Sequence, residues 1–344
     1  DIDSNGFCAE STSYLPENWE QHELSAEKLS NTLEFINETI HSGESLEPQG
    51  NIIGGDNLKR RIAGDSENIK ILFIALQSPS DTTTRYFCGD VGSYDNYLNE
   101  LSILPYLLPE NWKIVVKNHP LSIEKFSHEK MINVDEYHIG DLLSCCDAVA
   151  LLNSGVGIMA QLYQKHVFAF GQAHYICEGI NSNVKTATEV AGLITSDNFN
   201  FDKNKSLKFL SYLVNDFYSF ASWIRSERKH TEKANLSISL NIEYKSVRVI
   251  NEGTYLFEKE EVIDIRESIL FDRYRLDEYI SRKPATIQQP KPKIVPEVSV
   301  ATPSKIGNVE IKIGNGVKNK SKLSRKFKKL ATNPSLFFRD ALRN

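Results

Sequence analysis

The hydrophobic and polar positions of the chain alternate between short apolar runs and longer segments with apolar residues at helical spacing. The apolar runs predict β-strands over 70–76, 112–117, 148–153, 167–170 and 191–195. The amphipathic segments predict helices over 25–41, 94–108, 139–146, 157–164, 186–190 and 205–226. Strands that are apolar throughout and are separated by helices are typical of a parallel sheet covered on both faces. The fold class is therefore predicted to be α/β, with a complete Rossmann-like domain over 51–230.

The chain beyond residue 230 has a weaker pattern. Short strand-like pieces and a polar helical segment are predicted there, at 246–250, 254–257 and 267–279. Residues 231–283 are therefore interpreted as a C-terminal extension of the body. Five prolines fall between residues 284 and 303. Proline-rich sequence is extended, so 284–317 is predicted to be a linker.

The last segment of the chain is strongly basic. Residues 305–344 contain eleven Lys or Arg and two acidic residues, whereas the whole chain of 344 residues carries 40 Lys and Arg against 45 Asp and Glu. Within 318–344, Leu323, Phe327 and Leu330 fall on one face of a helix. Such a basic amphipathic segment is predicted to bind an anionic membrane surface. The alternatives are that this segment is a run of charged residues exposed to solvent, or a helix that binds a partner protein.

Composition excludes several classes of protein. Hydrophobic residues make up 40% of the chain and charged residues 25%, which is ordinary for a globular protein. The longest apolar runs are far shorter than the roughly 20 residues that span a bilayer. The five cysteines form no CxxC pair, so the chain is expected to be reduced and cytoplasmic. An acidic body without a base-reading motif also argues against nucleic-acid binding.

Polar residues follow the first two predicted strands of the domain, at the edge of a parallel sheet where ligands bind. Gln77 and Asp81 come after the first strand. Asp81 could cap the next helix, or it could present a carboxylate at the sheet edge. Lys117 and His119 come at the end of the second strand, and Pro120 holds His119 in an extended conformation. A lysine and a histidine together can balance the charge of a phosphate leaving group.

A turn of small residues follows the third predicted strand. It consists of Asn153, Ser154, Gly155, Val156 and Gly157. Small residues let the backbone approach a ligand, and the N–H groups that begin a helix can bind an anion; tight packing is the alternative reason for such a turn. The sequence has no P-loop and no GxGxxG dinucleotide motif, and no carboxylate or histidine cluster has metal-ligand spacing. We therefore expect no metal and no other cofactor, and a phosphate held by protein donors alone.

Three segments, taken in order, resemble one family. Residues 77–81, the VVKNHP sequence at 115–120 and the IGDLLSCCDAVALLNSGVGIMAQLYQKHVFAFGQAHY sequence at 139–175 are similar to the donor domain of bacterial capsule and lipopolysaccharide β-Kdo transferases. Kdo is 3-deoxy-D-manno-octulosonic acid. The resemblance covers roughly 70–176 well and 1–13 faintly. The His119-Pro120 pair and the turn that contains Ser154 are also similar to motifs of bacterial sialyltransferases and polysialyltransferases.

The resemblance implies a GT-B-like fold, in which two Rossmann-like domains face each other, the donor binds the C-terminal one and no metal is essential. Residues 1–50 would be the trailing part of an acceptor-side domain that lies mostly upstream. The implied activity is the transfer of Kdo from CMP-β-Kdo to a capsule or lipopolysaccharide glycan or glycolipid, with retention. Such an enzyme would be cytoplasmic and peripheral on the inner face of the bacterial inner membrane, through 318–344. The alternatives are an inverting CMP-sialic acid transferase and a non-catalytic glycan-binding or scaffold module.

The resemblance also implies roles for the residues at the strand ends. Retention is most simply achieved through a carboxylate nucleophile, and Asp81 is the candidate. His119 would stabilise the departing phosphate, and Glu10 would deprotonate the acceptor hydroxyl. The donor-binding residues are predicted to be Gln77, Lys117, Asn153, Ser154, Gly155, Val156, Gly157 and Tyr175. The family often has threonine at the position of Gly155, so this chain has one hydroxyl fewer in the turn.

Overall fold

A six-stranded parallel sheet forms the centre of the computed structural model, which describes residues 2–3, 6–42, 49–64, 66, 68–230, 235–249, 253–264, 266 and 277. The described strands are β1 (Ile2–Asp3), β2 (Gly6–Phe7), β3 (Lys70–Ala75), β4 (Trp112–Lys117), β5 (Ile132–Asn133), β6 (Ala148–Leu151), β7 (His166–Ala169), β8 (Asn181–Asn183), β9 (Phe220–His230), β10 (Asn235–Val249) and β11 (Gly253–Asp264). The described α-helices are α1 (Ala26–Ser42), α2 (Gly55–Ala63), α3 (Thr82–Tyr86), α4 (Tyr94–Ile103), α5 (Ile139–Cys145), α6 (Val156–Leu162), α7 (Ala187–Thr195) and α8 (Lys203–Tyr212).

The order of the parallel sheet is β5-β4-β3-β6-β7-β8. The chain passes from β3 to β4 and β5 on one side, and then returns to β6 on the other side of β3. The direction of winding therefore changes at β3. In an open α/β sheet, such a switch point leaves a crevice at the carboxyl ends of the adjacent strands.

Both faces of the sheet are covered, as the continuous apolar runs predict. Leu72, Ile74 and Phe168 point to one face, where they pack with Tyr97 of α4 and Val190 of α7. Residues that point to the opposite face are also fully buried: Ile71 and Phe73 of β3, Val115 of β4, Val149 of β6 and Val167 of β7. Because successive side chains of a strand point to opposite faces, a strand buried on both sides must be apolar throughout. The predicted fold class, α/β with a complete Rossmann-like domain, is confirmed.

Helix α7 corrects one prediction. The sequence pattern predicts a helix over 186–190 and then a strand over 191–195, whereas the structure has a single helix, Ala187–Thr195. Its buried residues are Ala187, Val190, Ala191 and Ile194, at helical spacing. The Thr186 hydroxyl caps the helix by accepting a hydrogen bond from the N–H of Glu189. The β-branched residues at the end of this helix resemble a strand only when they are considered apart from the first turn.

The predicted helix over 205–226 is also wrong in its second half. Helix α8 ends at Tyr212 and continues as a π-helical turn, Leu213–Phe217, and β9 starts at Phe220. Strand β9 pairs antiparallel with β10, and β10 pairs antiparallel with β11. The pieces predicted at 246–250 and 254–257 overlap these two longer strands. The three-stranded sheet therefore straddles the predicted boundary at residue 230.

The N-terminal residues pack against the end of the Rossmann-like domain. Trp19 is buried and lies against Phe209 of α8, with ring centroids 5.1 Å apart. On α1, the Lys28 ammonium lies 2.7 Å from the Asp216 carboxylate, and the Asn215 amide donates to the Thr32 hydroxyl at 3.0 Å. The interpretation of 1–50 as part of an acceptor-side domain stays a prediction. The linker at 284–317 and the basic segment at 318–344 lie outside the described residues, as does the helix predicted at 267–279 apart from Asp277.

Candidate functional site

Three loops that are far apart in the sequence line one cavity at the switch point. Asp81 follows β3, His119 follows β4 and Ser154 follows β6, and all three line a cavity of about 290 Å³. We call it the Asp81 cavity. Its lining residues are Cys8, Gln77, Asp81, Thr83, Phe87, His119, Asn153, Ser154, Gly155, Gln172, Ala173 and His174. The structure thus brings together the loops that were expected to meet because the carboxyl ends of parallel strands lie at one edge.

A second cavity of about 340 Å³ adjoins the first and shares His119 and Ser154 with it. We call it the Lys117 cavity. Its lining residues are Thr39, Gln49, Phe73, Ala75, Leu76, Lys117, Asn118, His119, Pro120, Ile139, Ser154, Val156 and Met159. Most of these are apolar, whereas the Asp81 cavity is rich in polar side chains. His119 and Ser154 therefore stand at the junction of an apolar cavity and a polar one.

The Asp81 carboxylate is not used as a helix cap. Asp81 occupies the N-cap position of α3, and its backbone oxygen accepts from the N–H of Arg85 at 3.1 Å, but its side chain makes no capping hydrogen bond. The residue is exposed, and within the described part of the chain its carboxylate has no hydrogen-bond partner. The turn thus presents a charged oxygen to the cavity, which is the second of the two possibilities that the sequence left open.

The imidazole of His119 is fixed in orientation by its own loop. Its Nδ1 accepts a hydrogen bond from the N–H of Leu121 at 3.2 Å, so in the neutral ring the proton is on Nε2. Burial lowers the pKa of His119; the Asp81 carboxylate raises this pKa and the Lys125 ammonium lowers it. The ring is therefore near one negative and one positive group. A neutral imidazole with an N–H at Nε2 can donate to a phosphate oxygen.

Gln77 and Asn153 connect two of the strand ends. The Gln77 amide donates to Asn153 Oδ1 at 2.8 Å, and the backbone N–H of Asn153 donates to Gln77 Oε1 at 3.0 Å. The Asn153 amide also donates to the backbone oxygens of Thr83 and Phe87. Both amides are buried and their hydrogen bonds are largely satisfied within the protein. They hold the loops after β3 and β6 together, and their contribution to donor binding stays a prediction.

The turn at Ser154 is held by Tyr175. The Tyr175 hydroxyl donates to the backbone oxygen of Ser154 at 2.6 Å, and its ring, which is almost fully buried, packs directly against Gly157. Ser154 Oγ accepts from the N–H of Val156, and Ser154 O accepts from the N–H of Gly157. Two of the N–H groups that begin α6 are therefore used inside the turn, although the sequence suggested that they were open to an anion.

Each of the other predicted donor-binding residues of this turn has a different surrounding. Val156 lines the Lys117 cavity, whereas Tyr175 and Gly157 line neither cavity. Gly155 is exposed, has φ −56°, and a Cβ atom added there would meet nothing within 4 Å. The Cβ atom of the threonine that the family often has at this position would thus meet no neighbour.

Lys117 lines the Lys117 cavity, and its side chain is used in hydrogen bonds to the backbone. Its ammonium donates to the backbone oxygens of Asp135 and Tyr137 at 2.8 and 2.9 Å. Burial lowers its pKa, while the nearby Asp135 carboxylate raises it. With two of its three N–H groups used in this way, Lys117 fixes the loop before α5. Its predicted role in donor binding is untested.

Glu10 is exposed and does not line the Asp81 cavity; Cys8, two residues earlier, does. Burial raises the pKa of the Cys8 thiol, and the Asp81 and Glu10 carboxylates raise it further, so both lie near this thiol. Cys8 has φ 51°, in the left-handed region that L-residues rarely adopt. Glu10 as the acceptor base therefore stays a prediction.

Sequence reasoning did not include His174 in the site. His174 lines the Asp81 cavity and lies between Tyr14 and Tyr175, with ring centroids 4.4 and 5.3 Å from theirs. Burial lowers the pKa of His174 to about 4. The FAFGQAHY sequence after the fourth predicted strand is the signal that could have indicated it, since that loop ends at the same edge of the sheet.

We expect His174 to make the protein less stable in mild acid. The folded state holds this imidazole neutral, whereas the unfolded chain binds a proton below pH 6.5, so stability falls as the pH drops from about 6.5 towards about 4. The loss is about 3 kcal/mol at most. The free energy of unfolding, measured with denaturant at pH 7 and at pH 4.5, should change less between these two pH values in His174→Phe than in wild type. His22→Gln, at an exposed position, should keep the wild-type difference; an unchanged difference in His174→Phe would contradict the assignment.

The described residues contain no group of three or more His, Cys, Asp or Glu that could hold a metal ion. Among the same residues, no helix is both long enough and apolar enough to cross a bilayer.

One family model matches the part of the chain that carries the site. Residues 53–191 match the family model described as capsule polysaccharide biosynthesis protein. This segment is similar to that family. It contains the loops after β3, β4 and β6, and so it includes Asp81, His119 and Ser154. The resemblance to capsule enzymes that the sequence motifs indicate is thus confirmed over this segment.

Comparison with solved structures gives matches of low similarity, and transferases are among them. Two of them are the β-Kdo 2,4 transferase and the β-Kdo 2,7 transferase of KpsC from Thermosulfurimonas dismutans, at 15% and 16% identity and TM-scores of 0.39 and 0.38. The matches cover 55% and 72% of this chain, and the chain spans 56% and 65% of those structures. The wall teichoic acid polymerase TagF matches at 14% identity and a TM-score of 0.28, over 57% of this chain and 46% of TagF. No curated protein has a significantly similar sequence.

Proposed function

We propose that this protein is a glycosyltransferase of capsule or lipopolysaccharide synthesis that transfers Kdo from CMP-β-Kdo to a glycan acceptor with retention. The observation that carries the proposal is the Asp81 cavity. In it the Asp81 carboxylate, which has no hydrogen-bond partner among the described residues, lies with the fixed imidazole of His119 and with Ser154. The match of residues 53–191 to a capsule family supports the biological process. The chemistry of the donor, an anomeric carbon that bears both a phosphate and a carboxylate, is assigned by the motif resemblance.

The two cavities suggest where each part of a CMP-sugar would bind. A nucleoside monophosphate has a large heterocyclic part and a small charged part, and the apolar Lys117 cavity suits the former. The junction at His119 and Ser154 would hold the phosphate, and the polar Asp81 cavity would hold the sugar. In this arrangement the anomeric carbon lies between the departing phosphate and the Asp81 carboxylate.

Retention would then follow from two displacements. In the first, an oxygen of Asp81 bonds to the anomeric carbon, the bond from that carbon to the phosphate oxygen breaks, and CMP leaves. The Nε2–H of His119 donates to the departing phosphate oxygen and so stabilises its developing charge. In the second, the acceptor hydroxyl attacks the same carbon, Asp81 is released as a carboxylate, and the hydroxyl proton passes to a base. Glu10 is the candidate base from the sequence.

The proposal is tested by incubating the full chain with CMP-Kdo and a Kdo-terminated oligosaccharide and measuring the mass of the glycan. A gain of one Kdo residue, with the β configuration by NMR, is the expected result. CMP-sialic acid in place of CMP-Kdo tests the inverting alternative. Calorimetric binding of CMP without turnover of either donor would favour the non-catalytic alternative and would refute a transferase.

His119→Ala is expected to lower the rate of transfer by about 10²–10⁴-fold, because the departing phosphate loses its N–H donor. The rate of CMP release from CMP-Kdo is the measurement. His128→Ala is the matched control, since His128 lies against Tyr106 and lines neither cavity. A His119→Ala protein that transfers at the wild-type rate would exclude His119 from catalysis.

A further inference from the structure

The two cavities offer little positive charge to an anionic donor. Among the described residues that line them, Lys117 is the one lysine or arginine, and its ammonium already donates to two backbone oxygens. Burial lowers the pKa of both His119 and His174, so neither imidazole carries a full charge near neutral pH. Asp81 adds a negative charge. A phosphate placed at the junction would therefore face a carboxylate with no free cation in the lining.

A cation lies just outside this lining. The Lys125 ammonium donates to the backbone oxygen of His119 at 2.9 Å. Burial is the largest cause of the lowered pKa of His119 and of Lys117, and the charge of Lys125 lowers both further. The ammonium therefore lies close to both residues, although Lys125 itself lines neither cavity. An ammonium has three N–H groups, so two remain after the bond to His119.

The backbone around Lys125 is fixed by a buried amide. Asn118 Oδ1 accepts from the N–H of Phe126 at 2.8 Å, and the Asn118 amide donates to the backbone oxygen of Phe126 at 3.1 Å. The Asp135 carboxylate in turn accepts from the backbone N–H and the side-chain amide of Asn118. These bonds connect the two ends of the loop that runs from His119 to Phe126. Lys125 is thus held beside His119, and little ordering of the loop is needed when a ligand binds.

We propose that Lys125 is a donor-binding residue whose ammonium contacts the phosphate of the CMP-sugar at the junction of the two cavities. This inference rests on the proposed function and adds to it the missing positive charge. Lys125 stabilises both the bound phosphate and the negative charge that develops on CMP as the bond breaks. It follows His119 by six residues, so one loop, the one after β4, supplies both a neutral donor and a cation.

The test compares calorimetric binding of CMP and of cytidine, which lacks the phosphate. In Lys125→Ala we expect the affinity for CMP to fall about ten-fold and the affinity for cytidine to be unchanged, because only the phosphate contact is lost. Lys125→Gln keeps a hydrogen-bond donor for the His119 oxygen without the charge, and it should lose CMP affinity to a similar extent. Lys125→Arg should retain most of it. Lys130→Ala removes an exposed lysine that packs on Tyr106, and it should bind both compounds like wild type.

The outcomes separate this inference from the proposed function. Equal CMP affinity in wild type and Lys125→Ala would overturn the role of Lys125 while leaving the transferase proposal intact. A parallel loss of CMP and cytidine affinity, or full recovery in Lys125→Gln, would show that Lys125 only supports the loop, and would also overturn it. A wild-type protein that binds no CMP would refute the proposed function, and the inference with it.

Discussion

Replacing Asp81 with asparagine is expected to abolish sugar transfer while leaving CMP binding close to wild type. Asparagine has nearly the same shape, but its amide cannot form the ester to the anomeric carbon that retention requires. Asp81 makes no capping bond and is exposed, so the substitution should cost little stability. We expect turnover to fall by at least about 10³-fold, on the scale that loss of a covalent nucleophile gives. The rate of CMP release from CMP-Kdo measures the effect.

The control for this prediction is Asp197→Asn. Asp197 is an exposed aspartate with φ 52°, a conformation that asparagine adopts readily, and it lies after α7 and lines neither cavity. Mass spectrometry of wild-type protein that has been quenched during turnover adds an independent readout. The expected species is the protein plus one Kdo residue, and it should be absent in Asp81→Asn. Near-normal turnover by Asp81→Asn would show that Asp81 is not the nucleophile.

Gly157→Ala is expected to destabilise the protein by about 1–3 kcal/mol, the usual effect of overpacking a full site. A methyl group on Gly157 would overlap the ring and hydroxyl of Tyr175. That ring is almost fully buried, so it cannot turn away, and any shift would break its hydrogen bond to Ser154 O. Alanine within a helix would otherwise be favoured by about 1 kcal/mol over glycine. Denaturant unfolding measures the net change, and we expect CMP affinity to fall as well because Ser154 moves.

Gly155→Ala is the matched control for this change. It lies two residues earlier in the same turn, has an ordinary φ of −56°, and would add a methyl group in open space. We expect its stability to be within about 0.5 kcal/mol of wild type, as for other exposed positions. Equal stability of Gly157→Ala and Gly155→Ala would contradict this explanation, because it would show that the packing of Tyr175 does not require a glycine at position 157.

The positions that the sequence predicted best are those where local chemistry and burial agree. The strands over 70–76, 112–117 and 148–153 are correct to within a few residues, because a strand buried on both faces can contain only apolar residues. The cluster of Asp81, His119 and Ser154 was predictable for a related reason, since the loops after parallel strands lie at one edge. By contrast, the second half of the helix predicted at 205–226 forms β9. Its antiparallel pairing with β10, the next strand along the chain, overrides the helical spacing of its own residues.

The sequence by itself determined the α/β class, the parallel sheet and the identity of the loops that carry polar groups, because hydrophobic periodicity and residue type are local properties. Only the tertiary structure decided what each polar group does. It assigned Lys117, Gln77 and Tyr175 to partners inside the protein. In the part of the chain that the structure describes, it left the Asp81 carboxylate without one. A hydrogen bond or a shifted pKa depends on which atoms fold to within a few ångströms of one another, and residues distant in sequence supply most of those atoms.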